Sequence, residues 1–190
     1  MAVTLCFDFG NTRRKVAVFE NANTLRKKLE AISNSRLEVI MAGSCSFSGH
    51  IKRKDLQVSP GTFVFWDWGY KNLFPDLPFE FACLVVTRII SIIDEYTICT
   101  DLGHKAVAAE NPMPRVHFLN APNAEPVGQS EEHLVLQTPR AADYAVGDVL
   151  YGLPRHICPT MALHSEVWAV RGGRAAEAWP VTARARRITI

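Results

Sequence analysis

Val149-Leu150-Tyr151-Gly152-Leu153-Pro154-Arg155-His156-Ile157-Cys158-Pro159-Thr160 is the stretch on which the reading of this chain turns. Its first five residues make an apolar, β-forming run behind the Gly147-Asp148 turn signal. Similar short runs recur at Thr97–Asp101, Val116–Leu119, His133–Gln137, Glu166–Arg171 and Trp179–Ala183, separated by turn residues such as Asn111-Pro112 and Gly172-Gly173. Strands at this spacing predict a mostly antiparallel small barrel or sandwich. The last seven residues set an imidazole and a thiol two positions apart, between two prolines. In an extended segment, side chains at i and i+2 share a face. His156 and Cys158 are therefore expected to offer a nitrogen and a sulfur to one metal ion.

Upstream, the pattern differs. Val3–Phe9 and Lys15–Phe19 are apolar runs around Gly10-Asn11-Thr12, which predicts a β-hairpin. Ala22–Ser33 predicts a helix with Asn23 as its N-cap, and Leu37–Met41 a strand that runs into Ala42-Gly43-Ser44-Cys45-Ser46. Pro60-Gly61 is a turn, and Thr62–Trp68 is rich in β-forming residues. Phe79–Ile93 fits a buried helix or a core strand equally. Composition shifts near residue 95. The expected class is α+β: an α/β region over residues 1–95 and a β-domain over residues 96–190.

The 190-residue chain is 48% hydrophobic and 21% charged, which matches a globular protein able to bury a core. A net charge of +2 gives no argument for nucleic acid, and the basic Arg184, Arg186 and Arg187 lack interleaved aromatics. No apolar run approaches the roughly 20 residues that span a bilayer; the longest, Phe81–Ile93, contains Arg88. Asp8, Arg13, Arg14 and Lys15 interrupt any secretory signal. Five scattered cysteines form no disulfide framework and no CxxC pair. A reducing, cytoplasmic setting is expected.

Thiolate is a soft ligand, so the His156–Cys158 pair favours zinc over harder divalent ions. The competing reading is a satisfied histidine beside a small buried thiol. His133 and His164 are further candidate donors, each equally readable as an ordinary polar residue. Gly43 and Ser44, in a small-residue loop after a strand, have the composition of a phosphate nest. Trp66 and Asp67, with Tyr70 just beyond, lie at the end of the Thr62–Trp68 run, where α/β barrels build sites.

Several segments in order resemble the C-terminal part of the D-threonine aldolase and D-serine dehydratase family, fold-type III enzymes related to alanine racemase. They are Ala42-Gly43-Ser44, Ser59-Pro60-Gly61-Thr62-Phe63-Val64-Phe65-Trp66-Asp67, Thr100-Asp101-Leu102-Gly103-His104-Lys105-Ala106, Ser130-Glu131-Glu132-His133, Pro154–Thr160, and Trp179-Pro180-Val181-Thr182-Ala183-Arg184. Leu134 stands where the family's fourth motif has glycine. The resemblance implies a TIM-type barrel carrying pyridoxal phosphate, followed by a β-domain that supplies a metal site. It implies action on small β-hydroxy D-amino acids, by elimination or aldol cleavage. It makes Gly43, Ser44, Asp67 and Tyr70 cofactor contacts, and His156 and Cys158 metal ligands. A full barrel takes about 250 residues, so residues 1–95 are expected to form a truncated one. The cofactor lysine has no match, and the chain alone is expected to be inactive. Exposed edges of a partial barrel predict a homodimer. Separately, Phe7-Asp8-Phe9-Gly10-Asn11-Thr12-Arg13-Arg14-Lys15 resembles the opening of type III pantothenate kinases, with Asp8, Asn11 and Thr12 as phosphate-site residues. A nucleotide-binding fragment and a non-catalytic metal-binding β-module are the alternative functions.

Overall fold

Glu38–Ala42 (β2) has a parallel partner on each side: Thr4–Phe7 (β1) and Gln57–Ser59 (β3). The structure, a computed structural model, describes residues 4–7, 15–185 and 187. It divides into two compact units, Met1–Val64 and Phe65–Ile190. Parallel strands need a crossover, and Lys15–Ser33 (α1) supplies the one between β1 and β2. Asn34, at φ 50°, ends the helix in the left-handed region. Glu30 then fixes the return: its Oε1 accepts from the Leu37 amide at 2.9 Å and meets Arg26 Nε at 3.1 Å. That amide first, and Arg26 second, hold its carboxyl below the usual range. Leu37, Val39, Met41 and Phe47 are the buried side of this unit.

The expected hairpin is corrected here. Residues 8–14, its turn, lie outside the described residues, as do Asp8, Asn11 and Thr12. Lys15–Phe19, its predicted second strand, is helical. The run continues without a breaker into the helix-forming Ala22–Ser33 segment, and β1 finds its partner in β2 instead.

In the second unit, Trp68–Leu73 (α2) precedes a six-stranded antiparallel sheet. Its strands are Val85–Ile92 (β4), Thr97–Thr100 (β5), Val116–Phe118 (β6), Glu125–Gln129 (β7), Leu134–Gln137 (β8) and Val149–Pro154 (β9), in the order β6-β9-β4-β5-β8-β7. The two edges are drawn together by Arg115, just before β6. Its Nη1 donates to Gln129 Oε1 of β7 at 2.7 Å. The sheet is thus nearly closed, as the β-run spacing predicts. Along β4, Val85, Thr87 and Ile89 point inward, the period-two alternation of a strand with one buried face. Val85 and Ile89 meet Ile98, Phe118, Leu134, Leu136 and Leu150 in one core. Ile157–Leu163 (α3) follows β9, and a hairpin of Glu166–Arg171 (β10) with Arg174–Pro180 (β11) follows α3.

Three local expectations change. Thr62–Trp68 is not a strand but a 3₁₀ turn over Thr62–Val64 and the start of α2, because Asp67 caps that helix. The Phe79–Ile93 ambiguity resolves as strand β4. The closing strand starts at Arg174 and stops at Pro180. The division between units falls well before residue 95. Among the described residues, no helix is long and apolar enough to cross a membrane.

Leu136 is fully buried in the sheet's core. Leu136→Ala is expected to lower unfolding free energy by about 2–5 kcal/mol, whereas the exposed Val170→Thr should stay within about 0.5 kcal/mol. Urea denaturation followed by circular dichroism measures both.

Candidate metal centre

Strand β9 ends at Pro154, and the chain turns at once into α3. His156, in extended backbone, is the N-cap of that helix, and Cys158 lies in its first turn. The segment is therefore not the continuous extended stretch that the sequence reading assumed. Pro159 explains the change: proline fits the first turn of a helix, where its missing N–H costs nothing. The two side chains still converge, since the His156 ring is hydrogen-bonded to the Cys158 side chain.

Backbone bonds pin both sides of His156. Arg155 donates its amide to Arg115 O at 2.8 Å and its Nη1 to Pro112 O at 3.0 Å. Arg155 O accepts from the Gly69 amide at 3.1 Å. The Ile157 amide donates to Asp67 Oδ2 at 3.0 Å. Inside the helix, the buried Thr160 donates Oγ1–H to His156 O at 2.8 Å and accepts from the Ala108 amide at 3.1 Å. A half-buried ring thus sits on a backbone fixed at four points.

Glu110 completes the arrangement. Its Oε1 lies 2.6 Å from His156 Nδ1, and Asn111 Nδ2 donates to the same oxygen at 2.8 Å. With Nδ1 held by a carboxylate, the ring presents Nε2 for a cation, as in carboxylate–histidine–metal triads. The Cys158 hydrogen bond, opposed by burial and helped by Glu110, raises the His156 pKa to about 9. Partial burial opposes ionisation of Glu110, yet its own backbone amide and His156 carry its carboxyl below the usual range. In the absence of metal, this raised value favours a protonated ring held between Glu110 and Cys158.

The donor chemistry fits a divalent ion of the zinc class, with one imidazole nitrogen and one thiolate. It fits as a two-donor site. Among the described residues, no group of three or more His, Cys, Asp or Glu side chains is arranged to hold a metal. The further candidate donors are engaged elsewhere: His164 Nε2 bonds Ala106 O at 2.8 Å, and His133 Nδ1 lies 3.5 Å from Ser130 Oγ. Glu110 was not legible in the sequence, because it is 46 positions from His156 in a loop with no motif of its own.

The expected cofactor residues are divided between the units. Gly43, at φ 110°, turns the chain after β2, and the buried Ser44 hydroxyl accepts from the Phe63 amide at 3.0 Å, which leaves its proton to donate. In the second unit, Asp67 Oδ1 accepts from the Tyr70 amide at 2.8 Å, and its other oxygen serves Ile157. Burial pushes the Asp67 carboxyl up, while those two amides pull it back. The Tyr70 ring stacks on buried Trp66 at 5.2 Å.

Comparison with known proteins places this architecture. Residues 82–170 match the model of the "putative serine dehydratase domain" family. The matched stretch holds the whole six-stranded sheet, Glu110, His156 and Cys158. The chain is 28% identical over 131 residues to a D-threonine aldolase of an Arthrobacter species, covering 68% of this chain and 34% of that protein. The D-threonine aldolase of Filomicrobium marinum superposes with a TM-score of 0.77 at 27% identity, over 87% of this chain and 45% of the other. D-threo-3-hydroxyaspartate dehydratase from Delftia sp. HT23 shares the fold at a TM-score of 0.69 and 19% identity, over 81% of this chain and 46% of that one. Solved variants of a D-threo-3-hydroxyaspartate dehydratase replace a histidine and, two positions on, a cysteine, the latter in metal-free form. The fold extends to alanine racemases. The chain spans about a third of its Arthrobacter relative.

Titration of the His156 ring by NMR in metal-free protein should give a midpoint near 9, and Cys158→Ala should bring it down toward 6.5. Because the folded value exceeds the unfolded one, the pair's stabilisation is complete below about 6.5 and fades as pH rises through about 9. An unchanged midpoint in the variant would show that the two groups do not interact.

Proposed function

We propose that this protein is the metal-site portion of a pyridoxal phosphate- and divalent-metal-dependent lyase acting on β-hydroxy D-amino acids, by aldol cleavage or dehydration. The observation that carries the reading is the His156–Cys158 donor pair, oriented by Glu110, inside a dehydratase domain. D-threonine aldolases among its relatives support the substrate class, and the two-residue His/Cys spacing varied in a D-threo-3-hydroxyaspartate dehydratase supports the ligand pair.

The bound groups would supply Lewis acidity at a substrate hydroxyl and an electron sink at the amino-acid carbon. The chain's own residues do the rest. His156 would hold the metal through Nε2 and Cys158 through its thiolate, so loading would displace the imidazolium proton and strengthen with pH. Glu110 holds Nδ1–H and keeps the ring from rotating. Two protein donors leave coordination positions for a substrate oxygen and water. In the first unit, Gly43 and Ser44 would take the cofactor's phosphate, using the remaining Ser44 proton. A Cys158 thiol outside any disulfide suits a reducing compartment. The reading includes a homodimer, since Val86 and its cross-strand partner Tyr151 are exposed on the sheet's outer face.

Metal analysis after zinc loading and desalting is expected to give about one zinc per chain, and none in His156→Ala or Cys158→Ala. A chain that retains no zinc would refute the metal reading. Supplied with pyridoxal phosphate and zinc, a competent protein releases acetaldehyde from D-threonine. Metal retention without turnover of D-threonine or D-serine would favour the non-catalytic β-module, a reading that the lack of a third donor supports.

A further inference from the structure

The carboxylate of Asp67 is 2% exposed, and both of its oxygens accept from backbone amides. Oδ1 accepts from the Tyr70 amide at 2.8 Å and so caps α2. Oδ2 accepts from the Ile157 amide at 3.0 Å. Ile157 is the one residue between His156 and Cys158. Two positions after Asp67, the Gly69 amide donates to Arg155 O at 3.1 Å, the carbonyl just before His156. A Cβ on Gly69 would lie 2.3 Å from that oxygen, so only glycine admits the approach. Two peptide groups flanking the His156 Cα are thus clamped by residues 67–69.

Helix α3 has a particular need for this clamp. Its N-cap, His156, makes no side-chain capping bond. The residue in the third helical position is Pro159, which has no N–H. The Ile157 amide therefore depends on Asp67 for its partner. Without it, a buried N–H would lack an acceptor, and the turn carrying both donors would relax outward.

We propose that Asp67, with Gly69, is the positioning element of the His156–Cys158 centre, and that it sets the geometry of the donor pair without touching the ion. The inference rests on the metal-binding reading above, but its test includes a metal-free readout. Asp67→Ser isolates the role, because serine is a good N-cap for α2 and is too short to serve Tyr70 and Ile157 together. Gly69→Ala leaves the carboxylate in place and moves Arg155 O, so it controls for the lost charge.

Cobalt(II) titration, read at the thiolate-to-cobalt absorption band, is expected to show at least about tenfold weaker binding in both variants, the range seen when outer partners of metal ligands are lost. The band should also shift, which a merely destabilised but correctly folded site would not show. Circular dichroism confirms folding, and Asp67→Asn, with one acceptor oxygen, replaces the serine variant if that fails to fold. In metal-free protein, the His156 midpoint should fall from about 9 toward 6.5 in both variants, as the ring leaves Cys158. Folded variants with wild-type cobalt affinity, band and midpoint would overturn the proposal. If the wild-type chain takes up no cobalt, the metal reading fails, and the ring titration alone then decides the positioning role: a lowered midpoint upholds it and an unchanged one overturns it.

Discussion

One buried carboxylate, shared between the amides of Tyr70 and Ile157, ties the segment before the sheet to the segment after it. Residues 67 and 157 are 90 positions apart, and the six strands of the sheet lie between them in sequence. The bond therefore closes a long loop, and loop closure grows expensive only slowly with length. The cost is met in the core, where Ile98, Leu134, Leu136 and Leu150 are essentially removed from water. The sheet is the stable frame. The clasp is what converts that frame into a site, because it places the start of α3 against the start of α2.

The fold was legible where periodicity was clean. The inward Val85, Thr87 and Ile89 alternate with exposed neighbours, and short runs between turn residues gave most strands of the second unit correctly. The failures were local and share a cause. Thr62–Trp68 has the residue types of a strand, but a capping aspartate at its end recruits Trp68 into a helix. Lys15–Phe19 is apolar enough for a strand, but no breaker separates it from the helix that follows. In both cases side-chain preference is a weak force beside a cap or an uninterrupted helical run.

The site was half legible for a different reason. The histidine and cysteine announced themselves by type and spacing, but the geometry assumed for them was wrong. Their convergence comes from an N-cap followed by a helical turn, not from a strand face. Pro159 could have signalled this, since a proline shortly after a polar residue is a helix-start pattern. Glu110 could not have been found this way. It reaches Nδ1 from a loop whose position is set by the fold, and spacing along the chain carries no trace of that approach. Asp67 lay in between: its place was noticed, but its task is to serve two backbone amides.

Why the residue is aspartate follows from its donors. Two N–H groups face it from different helix starts, each wanting an acceptor. A carboxylate has an oxygen for each and no proton of its own. Asparagine would set an NH₂ against one of the amides, and serine reaches only the nearer. Burial works against the charge and pushes the carboxyl up, while the two amides and the nearby His156 draw it down again. A buried charge is tolerable only when its hydrogen bonds are complete. The completeness of this set is therefore both what offsets the burial of Asp67 and what keeps the two donors of α3 in register. A change that loosens one amide weakens the case for the charge, and with it the other.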